Sequence, residues 1–174
     1  MAGEFKLPWV PGQAVIELGG GESPVIRPNV DSRWIPQVDL VADFNWPLPL
    51  ASNAYEGVFS KFLIEHLRLS RFRIFISEVY RILKPGGTAI IVTANLEEQM
   101  KTLLAAEEWN DDLICMVFGG IPDEMWNYHR IGFSPKYAEK LFKEAGFHEV
   151  KVEPWPAAKT DMYITATKSA AVIT

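Results

Sequence analysis

The chain has 174 residues, enough for one domain with a substantial core. Its hydrophobic fraction of 48% and charged fraction of 22% exclude a disordered or collagen-like chain. A formal net charge of -5 excludes a dominant role in gripping nucleic acid, because few phosphates could be neutralised. The run Arg68, Arg71 and Arg73 is read as a solvated face rather than a phosphate site. The lone Cys115 can form no intrachain disulfide and sits in an apolar stretch, so a buried, inert thiol is expected and no zinc spacing is present. No signal-peptide pattern opens the chain and no run approaches a membrane span, which gives a cytoplasmic expectation.

Residues 14–18 form an apolar run that stops at three glycines, as a buried parallel strand does. Residues 28–30 and 38–42 read as short strands ending at Asp31 and Asp43, and residues 55–60 read as the next. Phe72, Phe75, Ile76, Val79, Ile82 and Leu83 recur at spacings of three and four, the stripe of a helix lying on a sheet. Lys84-Pro85-Gly86-Gly87 ends it, and residues 88–93 are a strand. Residues 95–133 break the alternation: one polar helix over about 96–108 precedes an aromatic, glycine-bearing stretch, expected to form a lid. Ser134, Pro135 and Gly146 bracket a further helix as N-cap, first position and stop. Residues 148–153 and 162–167 alternate like a closing pair of strands. The whole predicts a single α/β domain with a Rossmann-like, mainly parallel sheet, helices on both faces and an antiparallel C-terminal edge.

Ligands of such sheets bind outside the carboxyl ends of the strands. Glu17-Leu18-Gly19-Gly20-Gly21 lies at one such end, where glycines let backbone approach a ligand; a tight turn without ligand is the plain alternative. A nicotinamide dinucleotide fits poorly, because Pro24 stands at the third glycine position and Asp31 follows Gly19 too closely for a crossover helix. A Walker phosphate loop is excluded by the absence of Gly-Lys-Ser/Thr. A phosphate-free adenosine fits better, with Asp31 placed for ribose hydroxyls and Asp43 for the adenine amino group beside Phe44 or Trp46. Ordinary turn aspartates are the competing reading.

Val15-Ile16-Glu17-Leu18-Gly19-Gly20-Gly21 resembles the first motif of class I S-adenosylmethionine-dependent methyltransferases. Asp43-Phe44-Asn45-Trp46-Pro47-Leu48-Pro49-Leu50 resembles their acidic motif and the run after it. Tyr55–Ser60 with Leu63-Ile64-Glu65-His66-Leu67 resembles the fourth-strand segment, and Glu78–Gly87 the helix and turn before the fifth strand. The later Phe118-Gly119-Gly120 and His129-Arg130 resemble a compact, type-11-like subgroup, whose members often accompany polysaccharide biosynthesis. The resemblance implies S-adenosylmethionine as cofactor. It implies that Glu17, Gly19, Gly20 and Gly21 line its methionine and ribose end, that Asp31 binds the ribose, and that Asp43 and Phe44 hold the adenine. Ser60, Lys61 and Phe62 would lie beside the sulfonium. The first crossover helix of the family is nearly absent here, and Ser23 departs from its glycine pattern.

A hydroxyl acceptor needs a proton taken, which suits a histidine at neutral pH. Of His66, His129 and His148, the expectation places His129 as general base, with His66 a second candidate on the ligand side and His148 at the surface. Trp126, Tyr128 and Arg130 would shape the acceptor pocket. The expected acceptor is an oxygen of a small molecule or glycan; no metal, nucleic acid or membrane is expected. Trp9, Trp34, Trp109 and Trp155 suggest a homodimer patch. The competing class is a binding or partner protein that keeps the fold and holds S-adenosylmethionine or S-adenosylhomocysteine without turnover.

Overall fold

The computed structural model describes residues 5–120 and 127–170. A seven-stranded sheet runs in the order β3-β2-β1-β4-β5-β7-β6. β1 (Val15–Leu18), β2 (Asn29–Asp31), β3 (Leu40–Val41), β4 (Tyr55–Lys61) and β5 (Leu83–Ala94) are parallel. β7 (Asp161–Thr167) is inserted antiparallel between β5 and β6 (Glu149–Pro154), so the closing pair forms the sheet edge as its alternation predicts.

Strand alternation divides the core in two. Ile16, Leu18, Val58, Ala89, Ile91, Met162 and Ile164 face α1 (Leu69–Ile82) and α4 (Pro135–Glu144), forming one large cluster with Phe72, Phe75, Phe133 and Phe142. Those four rings are at most 1% exposed, so truncating one to alanine costs about 3–5 kcal/mol. Ser134 caps α4 by accepting the Tyr137 N–H at 3.4 Å, as expected of that residue. Phe59, Ile90 and Val92 face the other way, against Phe5, Leu7, Trp9, Ile26 and Trp155. There the Trp9 ring lies directly on Gly57, where any Cβ would collide with the indole. Extended chain thus covers surface that the missing first crossover helix leaves open: among the described residues no helix separates β1 from β2, where Pro24 and Pro28 forbid one.

The insertion holds two helices where one was expected, α2 (Leu96–Ala105) and α3 (Asp111–Phe118). Asn110 caps α3 through its side-chain oxygen, which accepts the Leu113 N–H at 3.0 Å. This cap lies in a polar stretch that the hydrophobic pattern alone does not resolve. Cys115, expected buried, is half-buried, because α3 lies over the sheet's end and not within its core. The insertion is tied down by Arg130 N–H donating to the Glu65 carbonyl at 2.7 Å and by Leu96 N–H donating to the Phe133 carbonyl at 2.9 Å. Among the described residues no helix is long and apolar enough to cross a membrane.

Candidate active site

The glycine bend after β1 is held by buried side chains. Glu17, 2% exposed, accepts the N–H groups of Val25 and Ile26, both at 2.6 Å. Burial raises its carboxyl above the ordinary value against the pull of those two donors. Asn29, fully buried, accepts the Gly20 N–H at 3.0 Å and donates to the carbonyls of Gly21 and Gln37 at 3.2 and 3.1 Å. Asp31 accepts the Gly21 N–H at 3.0 Å through one oxygen; the other takes the Arg33 N–H and Nε at 3.0 and 3.1 Å. The bend runs through positive φ at Gly19 (81°) and Gly21 (54°), a conformation glycine adopts without strain. The Arg33 guanidinium rests against Gly21 where a side chain would stand.

Asp43, at the exit of β3, is exposed and accepts the N–H and Nδ2 of Asn45 at 2.9 and 2.7 Å. Phe44 is buried edge-on against Phe75. Arg71 donates to the Asn45 carbonyl at 3.4 Å and sits over the Trp46 ring. Arg73 pairs with Glu144. Arg71 and Arg73 therefore make protein contacts rather than forming a purely solvated face. Phe62 directly follows β4, and its φ of 53° is uncommon for a bulky side chain and marks a local strain at the strand's exit.

These strand ends surround a cavity of about 440 Å³, within the roughly 300–1,000 Å³ of small-molecule sites. Gly19, Asp31, Asp43, Phe44, Phe62 and Arg130 lie on its wall. It offers bare backbone, two acids and aromatic faces, which suit a nucleoside without phosphate; the donor set fits S-adenosylmethionine. Glu17, Gly20, Gly21, Ser60 and Lys61 are not on that wall. Glu17 is turned to the loop's own N–H groups. Ser60 is fully buried, and its hydroxyl has no hydrogen-bond partner in the described structure.

A second cavity of about 320 Å³ opens beside the first, the two sharing Phe62, His66 and Asn127. His66 and His129 face each other there with ring centroids 5.1 Å apart. His129 Nδ1 donates to the Val117 carbonyl at 3.0 Å and His66 Nδ1 to that of Tyr128 at 3.3 Å. A carbonyl only accepts, so both rings carry the proton on Nδ1 and keep Nε2 as acceptor. Burial lowers both imidazole pKa values, and for His66 the neighbouring His129 adds to the effect. Glu65 is 2% exposed and accepts the Thr93 hydroxyl at 2.9 Å. Burial lifts its carboxyl to about 7. Tyr128 is exposed, His148 lies at the surface as expected, and Trp126 is outside the described residues. Asn29, Arg33, Glu65 and Gln99 carry no role in the sequence reading. The adjacency of Glu65 to His66, and of Asn29 to the glycine bend through a parallel strand, were the signals available.

A seven-stranded sheet of this order, with a glycine bend and successive acids at its carboxyl edge, defines the class I S-adenosylmethionine-dependent methyltransferase fold. Residues 26–91 match the family model described as a methyltransferase domain. No curated protein matches the chain in sequence. Among solved structures, an S-adenosylmethionine-dependent methyltransferase from Mesorhizobium loti aligns with TM-score 0.66 and 14% identity, over 93% of this chain and 94% of its own. One from Thermotoga maritima, described as a possible histamine N-methyltransferase, aligns with TM-score 0.62 and 20% identity over 92% and 84%. Phosphoethanolamine N-methyltransferase 2 of Haemonchus contortus, solved with S-adenosyl-L-methionine, aligns with TM-score 0.65 and 16% identity over 93% and 50%. The domain match over residues 26–91 and the shared fold agree: the described chain has the class I S-adenosylmethionine-dependent methyltransferase fold, with methyltransferase-domain sequence across its central strands.

Proposed function

We propose that the chain methylates an oxygen of a small, polar acceptor, a sugar hydroxyl or a comparable metabolite hydroxyl, seated over the His66–His129 pair. The observation that supports this reading is the pair itself. Two neutral imidazoles, each fixed by a backbone carbonyl, face a cavity that meets the cofactor cavity at Phe62. Bound S-adenosylmethionine supplies a methyl carbon whose bond to sulfur breaks as the new C–O bond forms, the electron pair returning to sulfur.

The chain's own groups do the rest. Asp31 and Asp43 receive the ribose hydroxyls and the adenine amino group, with Phe44 behind the ring. Asp31 exchanges its Arg33 contacts for the ribose. Gly19 lets the methionine end lie against the main chain. Phe62 stands between the two cavities and shields the sulfonium side from water. His129 takes the hydroxyl proton on Nε2, and His66 orients the acceptor. Arg130 and Tyr128 border the acceptor.

The test is His129→Ala with labelled S-adenosylmethionine and a panel of sugars and small hydroxylated acceptors. The expected outcome is a fall in kcat of about 10²-fold or more, with calorimetric cofactor affinity unchanged. Undiminished turnover would remove His129 from the chemistry. Methyl transfer confined to amines or thiols would overturn the oxygen acceptor. Cofactor binding with no transfer to any acceptor would favour the non-catalytic binding protein.

A further inference from the structure

The wall of the second cavity carries more ligating chemistry than one proton transfer needs. One donor atom each from Glu65, His66 and His129 lies within 4.8 Å of the others. Both imidazoles donate Nδ1–H to main-chain carbonyls, the arrangement that fixes ring orientation and raises basicity in metal-ligating histidines. The Glu65 carboxylate accepts the Thr93 hydroxyl and is also met by the N–H groups of Glu65 and Ala94, which leaves part of its roughly four lone-pair positions for a further partner.

An independent observation comes from α2. Gln99 is 3% exposed, lines the same cavity, and its amide oxygen has no hydrogen-bond partner in the described structure. A buried, unpartnered amide oxygen costs about 1–3 kcal/mol, and a cation or a cation-bound water removes that cost. Asp161 also lines the cavity, close enough for its charge to act on Glu65, and adds a second acid. The positive charge of Arg130 also acts on His66.

We infer that Glu65, His66 and His129 form a binding site for a divalent first-row transition cation, with Gln99 as a further oxygen donor, at the acceptor end of the methyl-transfer cavity. Two imidazole nitrogens select manganese, iron, cobalt or zinc over magnesium and calcium, which take oxygen donors. Bonds of about 2.1 Å place neighbouring donors roughly 3–3.5 Å apart, so the three side chains draw together by about an ångström as the ion enters. The inference rests on the oxygen-acceptor reading and changes how the pair acts. With the cation in place, both Nε2 atoms are ligands. The acceptor hydroxyl becomes a ligand too and is acidified by the ion, and its proton passes to water in place of His129.

The experiment titrates chelator-treated full-length chain, with S-adenosylhomocysteine present, against cobalt(II), manganese(II) and magnesium(II), read by calorimetry and by cobalt visible absorption. One cobalt or manganese ion per chain is expected, with magnesium at least tenfold weaker. Glu65→Gln and His66→Ala should each weaken cobalt binding tenfold or more, and Gln99→Leu a few-fold. Retained S-adenosylhomocysteine affinity shows that each variant is folded. Should Glu65→Gln fail that control, the double variant His66→Ala/His129→Ala carries the same expectation. A flat titration of the parent chain, or cobalt affinity unmoved by the double variant, overturns the site. If the cation fails while labelled methyl still reaches a hydroxyl acceptor, the oxygen-acceptor reading survives alone. If the cation binds as expected and no hydroxyl is methylated, that reading fails and the site stands as a binding site.

Discussion

The two halves of the active site are built on opposite plans. Around the glycine bend nearly every polar side chain is already used: Glu17 holds two backbone N–H groups, Asn29 holds three backbone groups, and Asp31 holds Gly21 and Arg33. Around His66 and His129 the main chain does the holding, and side-chain atoms are left over. Both Nε2 atoms and the Gln99 oxygen have no assigned task among the described residues. The contrast teaches that the first half is a preformed backbone mould, while the second leaves donor atoms uncommitted among the described residues. Changes in the first should act on stability and cofactor binding together; changes in the second should act on chemistry with the fold intact.

Glu17→Ala gives the hardest test of the mould. It strands two buried N–H donors that now meet a carboxylate at 2.6 Å. At about 1–3 kcal/mol for each unsatisfied group, a loss of roughly 2–5 kcal/mol is expected in urea melts, with cofactor affinity lost alongside. Unchanged stability with lost affinity would place Glu17 on the ligand instead. Asn29→Ala should act in the same direction with a smaller cost, about 1–3 kcal/mol. Its effect on cofactor affinity should be repaired by no acceptor-side change, since the two halves share only the wall at Phe62, His66 and Asn127.

Asp43→Ala sits between the two plans. Its carboxylate is exposed and its only described partner is the nearby Asn45. Stability should move by less than about 0.5 kcal/mol, while affinity for S-adenosylmethionine falls about tenfold, measured by calorimetry. If affinity holds, the adenine is received elsewhere.

How much of this was visible in the sequence follows the same division. The sheet was legible because Val15–Leu18 and Thr88–Thr93 are short, mostly apolar and β-branched segments and Phe72 to Ile82 keeps a helical stripe, and such patterns record burial directly. Ser134 and Gly146 announced α4 because caps are local chemistry. The positions of Asp31 and Asp43 at strand exits followed from the alternation alone. What α3 and the acceptor half required was not local. Glu65 and Gln99 stand on different elements, His129 on a third, and only the tertiary fold brings them to one cavity. The engagement of Asp31 by Arg33 was equally hidden, because a two-residue spacing says nothing about where a guanidinium folds back.

That last contact supplies the finest test of the mould. Arg33 Nε and Asp31 lie 3.1 Å apart, and the guanidinium rests on Gly21, beside the carboxylate proposed above to receive the ribose. An arginine that must be moved lowers apparent affinity by the fraction of time it occupies the site. Arg33→Ala should therefore tighten S-adenosylmethionine binding a few-fold, while losing the Nε hydrogen bond to the buried Asp31 carboxylate costs about 1–3 kcal/mol of stability. Weaker binding in that variant would assign the guanidinium to the cofactor. In that case Asp31 and Arg33 would receive the ligand as a pair, and the bend would be less finished before binding than its hydrogen bonds suggest.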